Sequence, residues 1–382
     1  MSILVLNAGS SSLRFTLFDK QLKELYKGHV DAIGQKHCSF RHYLKKGEID
    51  TTIKIKNHDE AIRFVLKKLR EDKIITDLNE IKKVAHRVVH GGEKYVKPTR
   101  LNAKVLKDLD KLSALAPLHN PANLLTARAC QKMLPHAAHY AIFDTAFHAA
   151  LPEKAFLYGL PYALYQKEHI RRYGFHGSSH KYVSTEAARF LKKKNLRLIT
   201  CHMGNGISLA AIKNGVCLDT TMGFTPLEGP IMGTRSGTVD PGILFHLLKK
   251  QSPEKLHAML QHESGFKGLS GIGSDIRDLW AKPNSPGSKR TFGVLCYQMA
   301  KLIMSLTVPL GGLPDAIVFT AGIGENAHYL RAQITQELAP LKIQLDPTAN
   351  RKNATVISKP KSGVKLLVIH TNEELQMARD LP

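Results

Sequence analysis

A chain of 382 residues is long enough for two domains of ordinary size, and its 43% hydrophobic and 23% charged residues are typical of a globular protein, not a disordered or fibrous one. The five cysteines are scattered without a C-x-x-C pair, so neither a disulfide framework nor a thiolate zinc site is indicated. The formal charge of +23 would suit a nucleic-acid binder, but the lysines lack interleaved aromatic residues and no nucleic-acid motif accompanies them.

The first part of the chain reads as an α/β lobe. Apolar alternation between polar turns predicts strands over residues 3–7, 13–18, 22–33 and 51–55. An amphipathic helix is predicted over 59–70, where apolar residues recur at i, i+3, i+4 and i+7. A strand at 84–89, helices at 105–115 and 121–133, and a strand at 140–143 follow.

A second lobe is predicted after residue 152. Residues 198–212, "LITCHMGNGISLAAI", repeat the opening pattern of apolar strand, small-residue turn and alternating strand, which suggests two related lobes. Helices are then predicted over 242–250, 253–262 and 291–306. A strand at 316–320, the turn "AGIGEN", a helix to 338, a strand at 364–369 and a helix from 372 close the chain. The apolar runs are too short to cross a bilayer, and the first six residues lack the features of a signal peptide, so a cytoplasmic protein is expected.

The turns that follow the first strand of each lobe are candidate anion sites. "NAGSSS", residues 7–12, exposes several N–H and O–H donors, as does the Gly/Asn turn at 204–206. A surface hairpin would use the same residues, so one such turn alone does not establish a site.

A third candidate anion site is "FTAGIGENA", where a strand runs into two glycines and then a helix. It matches the relaxed dinucleotide pattern G-x-G-x-x-A, and Asp346 lies at about the right distance for a ribose. The match is weak, because the glycines could serve only close strand–helix packing. It leaves a nicotinamide-dependent dehydrogenase open as an alternative function.

Several charged side chains stand at strand ends or in glycine-rich loops. Arg87 and Arg235 could clamp a transferring phosphoryl group, although either alone could form a surface ion pair. His176 and His180 lie four residues apart between glycines and are read as donors that line a polar pocket, not as a zinc site. Asp144 ends a buried strand, where it could orient a nucleophile or a metal, or cap a helix.

Taken together, these stretches resemble the acetokinase family. The motifs that carry the resemblance occur in the family's order over nearly the whole chain: "NAGSSSLRF", "HRVVHGGE", "APLHNPANL", "FDTAFH", "RRYGFHGSSH", "HMGNGISLAA", "TTMGFTPLEGPIMGTRSG", "GLSGIGSDIRDL", "FTAGIGEN" and "TNEELQMARD". His370 departs from the pattern, since proline is usual before "TNEE".

The resemblance implies an α/β protein with the duplicated ribonuclease-H-like fold of actin-like ATPases, in two lobes with a central cleft. Residues 1–146 with 372–382 would form the N-terminal lobe, and 147–371 the C-terminal, nucleotide-binding lobe. The implied reaction is reversible phosphorylation of acetate to acetyl phosphate, with ATP/ADP as co-substrate and Mg²⁺ or Mn²⁺ as cofactor. A kinase for propionate or another short-chain carboxylate is the nearest alternative. A cytoplasmic homodimer without nucleic-acid or membrane partners is expected.

The resemblance also assigns site residues. Catalytic roles fall to Asp144, Arg87, Arg235, His176 and His119. The acetate pocket would be formed by Arg87, Val89, Leu118, Phe175 and Pro226, with valine at 89 favouring acetate over propionate. The nucleotide would contact Ser10, Ser12, Arg14, His202, Gly204, Asn205, Gly206, Asp275, Ile276, Arg277, Gly322, Ile323, Gly324, Glu325 and Asn326. The metal would be held by Asn7 and Glu373.

Overall fold

The computed structural model describes residues 2–9, 11–44, 47–116 and 119–382. Its strands are β1 (Ser2–Ala8), β2 (Leu13–Asp19), β3 (Glu24–Asp31), β4 (Cys38–Leu44), β5 (Gly47–Ile53), β6 (Ile81–Val88), β7 (Thr99–Arg100), β8 (Ala138–Phe143), β9 (Arg197–Met203), β10 (Ile207–Lys213), β11 (Val216–Thr220), β12 (Ala316–Thr320) and β13 (Lys365–Val368). Its α-helices are α1 (His58–Glu71), α2 (Ala103–Leu112), α3 (Asn120–Met133), α4 (Glu153–Phe156), α5 (Tyr162–Glu168), α6 (Gly177–Leu191), α7 (Pro241–Leu248), α8 (Pro253–Ala258), α9 (Gly265–Ser270), α10 (Ile276–Trp280), α11 (Pro286–Ser305), α12 (Thr307–Leu310), α13 (Ala321–Asn326), α14 (His328–Glu337), α15 (Pro347–Arg351) and α16 (Glu373–Asp380).

The chain divides into two compact units, one of Met1–Ala146 with Asn372–Pro382 and the other of Phe147–Thr371. In the described residues, the first unit has a mixed sheet in the order β5-β4-β3-β2-β1-β6-β8-β7. The second unit has a sheet in the order β11-β10-β9-β12-β13.

The two sheets share one five-strand pattern. In the first unit β1 pairs antiparallel with β2 and parallel with β6, which pairs parallel with β8. In the second unit β9 pairs in the same way with β10 and β12, and β12 pairs parallel with β13. Each unit therefore repeats one topology, and the predicted duplicated α/β architecture is confirmed.

The central strand of the first unit is buried on both faces, which explains its continuous apolar run. Leu4 and Leu6 pack in a core with residues of α1 and α3. Ile3 and Val5 lie in a separate core with Met377 of α16. Polar groups at the ends of this strand are thereby fixed on a rigid element.

One helical stretch, Pro286–Leu310, is long and apolar enough to cross a membrane by length and composition. This differs from the expectation that the apolar runs are too short. The stretch comprises α11 and α12, and α11 buries residues such as Leu295, Met299 and Ile303. It packs on α9 and α14, so it serves as a core helix of the second unit.

Helix α6 and strand β11 were not predicted, and three other local predictions differ from the structure. Strand β4 was missed, because His42 occupies one of its buried positions and weakens the apolar alternation. "AGIGEN" forms the short helix α13 instead of a turn, with Ala321 at a φ of 64°. The helix predicted over 253–262 ends at Ala258 and continues as a π-helical turn at Met259–Glu263.

Candidate functional site

The first unit gathers polar side chains where three neighbouring parallel strands end. Asn7 lies near the end of β1, Arg87 near the end of β6, and Asp144 directly after β8. Because β1, β6 and β8 run parallel, their carboxyl ends meet at one edge of the sheet. Glu373, the first residue of α16, completes what we call the Arg87 cluster: Asn7, Arg87, Asp144 and Glu373.

Arg87 forms the centre of this cluster. Its Nε donates to both carboxylate oxygens of Asp144 at 3.0 Å, and its Nη2 donates to Oδ2 at 2.5 Å. Its Nη1 donates to Asn7 Oδ1 at 3.0 Å. Burial alone would lower the pKa of Arg87, but the charge and hydrogen bonds of Asp144 raise that pKa above its usual range. The guanidinium is therefore a fixed cation, held in one orientation.

Glu373 is a carboxylate in an unfavourable environment. Burial raises its pKa to about 7, and the charges of Glu374 and Asp144 add to the rise, while Arg87 and Arg14 oppose it. A cation bound here would relieve that cost. Carboxylate and amide oxygens are the donors that Mg²⁺ and Mn²⁺ prefer, so Asn7 and Glu373 fit the predicted metal.

A different set of potential metal ligands lies in the core of the first unit. Among the described residues, His86, Cys130 and His139 place ligand atoms within 4.8 Å of one another. His86 Nε2 lies 2.9 Å from His139 Nδ1, and His139 Nε2 donates to the carbonyl of Leu134 at 3.0 Å. The two rings thus already use each other as partners, and nitrogen and sulfur donors do not suit magnesium.

Two buried asparagines of α3 hold the strand ends in place. Asn123 donates to the carbonyl of Ala8 at 2.7 Å and accepts from the N–H of Val89 at 3.2 Å. Asn120 exchanges two hydrogen bonds of 3.0 Å with the backbone of His90. Neither asparagine is among the predicted site residues, although two asparagines in the first turn of a helix are a signal that could have identified them.

The remaining predicted residues of the first unit lie around these strand ends. Gly9 and Ser12 close the turn after β1 through a 2.8 Å backbone hydrogen bond. Val89 is buried, and His119 precedes the first residue of α3. Ser10 and Leu118 lie outside the described residues. Arg14 is exposed and lies opposite Asn7 in the antiparallel pairing of β1 with β2.

The second unit places His176 and Arg235 against the turn between β9 and β10. A Cβ added to Gly206 would lie 3.3 Å from Arg235 Nη1 and 3.3 Å from His176 Nε2. Only glycine leaves that space open, so both side chains approach the backbone of the turn. The His176 ring stacks on the His202 ring, with the two ring centroids 4.1 Å apart. A Cβ added to Gly204 would lie 3.4 Å from His202 Nε2.

Arg235 is a half-buried cation that lacks an acidic partner among the described residues. In the described parts of the chain it forms no ion pair, and Nη1 donates to the carbonyl of Pro226 at 3.2 Å. Burial lowers its pKa below the usual range. A half-buried guanidinium without a counter-charge is stabilised by a bound anion.

Other predicted nucleotide contacts lie on α10 and α13. Asp275 caps α10 and forms an exposed ion pair with Arg277 at 2.5 Å, beside the buried Ile276. Gly324 lies against Cys201 and Met203, where an added Cβ would stand 3.6 Å from the Cys201 carbonyl oxygen and 3.5 Å from the Met203 Cβ.

Side chains of helix α13 form hydrogen bonds with its own backbone and with the residues before α16. Glu325 accepts from the N–H of Ala321 at 2.8 Å and of Thr371 at 3.0 Å, and His370 Nδ1 lies 2.7 Å from its carboxylate. Asn326 donates to the carbonyl of Gly322 at 2.9 Å, and Ile323 is half-buried. Asp346, the predicted ribose contact of a dehydrogenase, instead caps α15.

Comparisons with known proteins agree with the motifs. The model of the acetokinase family matches residues 2–379. The chain is 44% identical to "Acetate kinase 2" of Clostridium perfringens, over 100% of this chain and 98% of that protein. It superposes on the crystal structure of Porphyromonas gingivalis acetate kinase with a TM-score of 0.91 and 37% identity, over 99% of this chain and 98% of that chain. A propionate kinase from Francisella tularensis matches with a TM-score of 0.93 and 37% identity, over the same shares of the two chains.

Proposed function

The chain belongs to the acetokinase family, and on that basis we propose that it transfers the γ-phosphoryl group of ATP reversibly to acetate, giving acetyl phosphate and ADP. It is a phosphotransferase with a carboxylate acceptor. The single observation that supports this best is Arg235, a half-buried cation without an acidic partner among the described residues, placed beside His176 and Gly206. Such a site suits the spreading negative charge of a phosphoryl group.

In the proposed mechanism the protein aligns charges and supplies no strong base. Acetate is ionised at neutral pH and is already a nucleophile, so in-line attack on the γ-phosphorus needs positioning and cations. Arg87, Arg235 and His176 would donate to the equatorial oxygens of the transferring group. Asp144 would orient acetate through Arg87, because its carboxylate fixes the fork of that guanidinium.

Asn7 and Glu373 would hold Mg²⁺ or Mn²⁺ when it is bound. The cation would neutralise charge on the nucleotide phosphates, and the pKa of Glu373, which burial raises, supports a cation site beside this carboxylate. The nucleotide would contact Ser10, Ser12, Arg14, His202, Gly204, Asn205, Gly206, Asp275, Ile276, Arg277 and the α13 residues from Gly322 to Asn326.

Acetate is the proposed substrate in preference to propionate. Val89, with Leu118, Phe175 and Pro226, would form the apolar lining, and His119 would support it. Val89 is 3% exposed and its N–H is tied to Asn123, so its methyl groups are held in one place. The extra methylene of propionate would be disfavoured by about 1 to 3 kcal/mol, which gives partial discrimination.

A cytoplasmic homodimer is part of the proposal. Helix α7 has no buried residue, and its Ile243 and Phe245 are 50% and 69% exposed. Val308 of α12 is 80% exposed. Exposed apolar side chains of this kind mark association surfaces, and a second copy is the occupant we propose. Sedimentation equilibrium checks this: a mass near 84.8 kDa, twice the 42.4 kDa chain, is expected.

The function is tested by trapping the product. With ATP, magnesium, acetate and hydroxylamine, the protein should form acetyl hydroxamate at a rate proportional to its concentration. No hydroxamate above a heat-inactivated control, together with NAD but not magnesium-ATP protecting the protein from heat, would favour the dehydrogenase alternative instead.

A further inference from the structure

One face of the second sheet carries a set of polar side chains towards helix α6. Thr200 and His202 are two residues apart on β9, so they point to the same face, and Ser208 on β10 lies directly opposite His202. His180 of α6 packs over them. Thr200, His180 and Ser208 are each 0% exposed, so all of their polar atoms must find partners within the protein.

These side chains form a continuous run of hydrogen bonds that ends at His176. The Thr200 hydroxyl lies 2.7 Å from His180 Nδ1, and His180 Nε2 lies 2.8 Å from the Ser208 hydroxyl. The same Ser208 oxygen lies 2.8 Å from His176 Nδ1. His176 is held at a φ of 58°, in the left-handed region, as the residue before α6. The run therefore joins a fully buried histidine to a constrained one.

The number of protons on His180 and on the two hydroxyl groups decides which group donates and which accepts in each hydrogen bond of the run. Burial, with smaller effects from His148 and His202, lowers the pKa of His180 well below its usual range, so the ring is neutral and carries a single N–H. If that proton were on Nδ1, it would point at Thr200, and the Thr200 hydroxyl would need another acceptor. In the described residues the only hydrogen bond of that hydroxyl is to His180. The satisfied arrangement has Thr200 donating to His180, His180 donating to Ser208, and Ser208 donating to His176 Nδ1.

We propose that Thr200, His180 and Ser208 act as positioning residues that keep the Nδ1 of His176 an acceptor and so place its proton on Nε2. This rests on the proposed function, in which His176 donates to the transferring phosphoryl group. Nε2 is also the nitrogen that faces Gly206 and Arg235. His176 thereby presents an N–H donor in the direction in which negative charge develops.

The direct test reads the tautomer of His176 in the nucleotide-free protein. Two-bond ¹⁵N–¹H correlations of the imidazole, assigned with a His176→Gln variant, should place the wild-type proton on Nε2. Thr200→Val keeps the side-chain shape but removes the first donor, and it should move a measurable fraction of His176 to the Nδ1–H form. Thr200→Ser restores the hydroxyl and should restore the Nε2–H form. Thr185→Val, the same change on the exposed face of α6, is the matched control.

Kinetics give a second readout. Thr200→Val and Ser208→Ala should each lower kcat about tenfold, less than the full loss of one transition-state donor, and leave both KM values within about twofold. Thr200→Ser should recover most of the kcat lost in Thr200→Val. Thermal unfolding of each variant shows whether it is folded.

Three results would overturn the proposed role of this run of hydrogen bonds. They are a wild-type His176 proton on Nδ1, an unchanged His176 tautomer in both Thr200→Val and Ser208→Ala, or a fall in kcat without a change in that tautomer. Failure of the proposed function is distinguishable, because the wild type would then form no acetyl hydroxamate while the tautomer measurements would still stand.

Discussion

The contact between Arg87 and Asp144 permits a quantitative prediction about how a buried ion pair serves catalysis. Asp144 is 2% exposed and accepts three hydrogen bonds of 2.5 to 3.0 Å from Arg87. Two unit charges about 4 Å apart attract by about 4 kcal/mol at an effective dielectric constant of about 20. Asp144→Asn keeps the shape and removes the charge, and the amide oxygen retains one hydrogen bond of about 1 kcal/mol. We expect a loss of about 3 kcal/mol in the free energy of unfolding.

A double-mutant cycle separates the stability of the pair from its catalytic role. Arg87→Met also leaves a buried charge without its partner, on Asp144, whereas Arg87→Met/Asp144→Asn removes both charges of the pair. The double variant should therefore be more stable than the sum of the two single losses predicts, by about 2 kcal/mol. Urea unfolding of the four proteins, followed by circular dichroism, measures this coupling.

Turnover should follow a different pattern from stability. Arg87→Met should lower kcat by about 10³-fold, because a cation at the transferring group is lost. If Asp144 acts only through Arg87, the double variant should turn over as slowly as Arg87→Met and no more slowly. Multiplicative losses in kcat would refute this reasoning and assign Asp144 a contact of its own with acetate.

Three further outcomes are expected. Arg235→Ala should lower kcat by about 10²- to 10³-fold and leave the KM for ATP nearly unchanged in steady-state assays. Val89→Ala should narrow the ratio of kcat/KM for acetate to that for propionate. Burial lowers the pKa of His90 to about 4 and those of His86 and His180 well below the usual value, so the unfolded chain takes up more protons than the native one below about pH 6.5. The contribution of these histidines to stability should then be complete above that pH and should fall towards pH 5 by up to about 1.4 kcal/mol per histidine per pH unit. Glu373, whose pKa is raised to about 7, acts in the opposite direction below pH 7, and urea unfolding at each pH measures the sum.

Matched variants sharpen each of these measurements. Arg63→Ala removes an exposed arginine of α1 and should leave kcat unchanged. If the kcat of Arg235→Ala equals that of Arg63→Ala, Arg235 has no part in the mechanism. Equal kcat/KM of the wild type for the two acids would contradict the Val89 argument. His90→Gln should reduce the slope of stability against pH below 6.5, and an unchanged slope would show that His90 does not contribute.

Most of the fold could be predicted, because its signals are local. The i, i+3, i+4, i+7 spacing located α1, since Ile62, Val65, Leu66 and Leu69 are all buried in the helix. Strand β12 matches the predicted bounds, because its five residues are all buried between turn-forming neighbours. The misses were also local. Strand β4 buries His42, and α13 begins with Ala321 in a conformation that alanine seldom adopts, so neither follows from composition.

The candidate site residues fall into two groups, those that the sequence could indicate and those that it could not. Arg87, Asp144 and Arg235 could be proposed from the sequence, because each is a charged residue at the end of an apolar strand or in a glycine-rich loop. Their supporting partners could not. Asn123 is 115 residues from Ala8, to which it donates. A buried polar side chain is interpretable only when its partner is known, and that pairing is set by the tertiary fold.

This division has a physical basis. A polar group that contacts a ligand lies where the chain reaches the surface. A polar residue at such a position is visible in the sequence as a break in the apolar pattern. A group that orients it must be buried and fully hydrogen-bonded, so it occupies a core position and interrupts the apolar pattern only slightly. In the second unit, Ser208 sits between Ile207 and Leu209 on a strand whose residues are buried except Lys213. From the sequence it passes for a small core residue, and only its contacts with His176 and His180 distinguish it. Positioning residues of this kind are therefore found by following hydrogen bonds outward from the predicted ligand contacts.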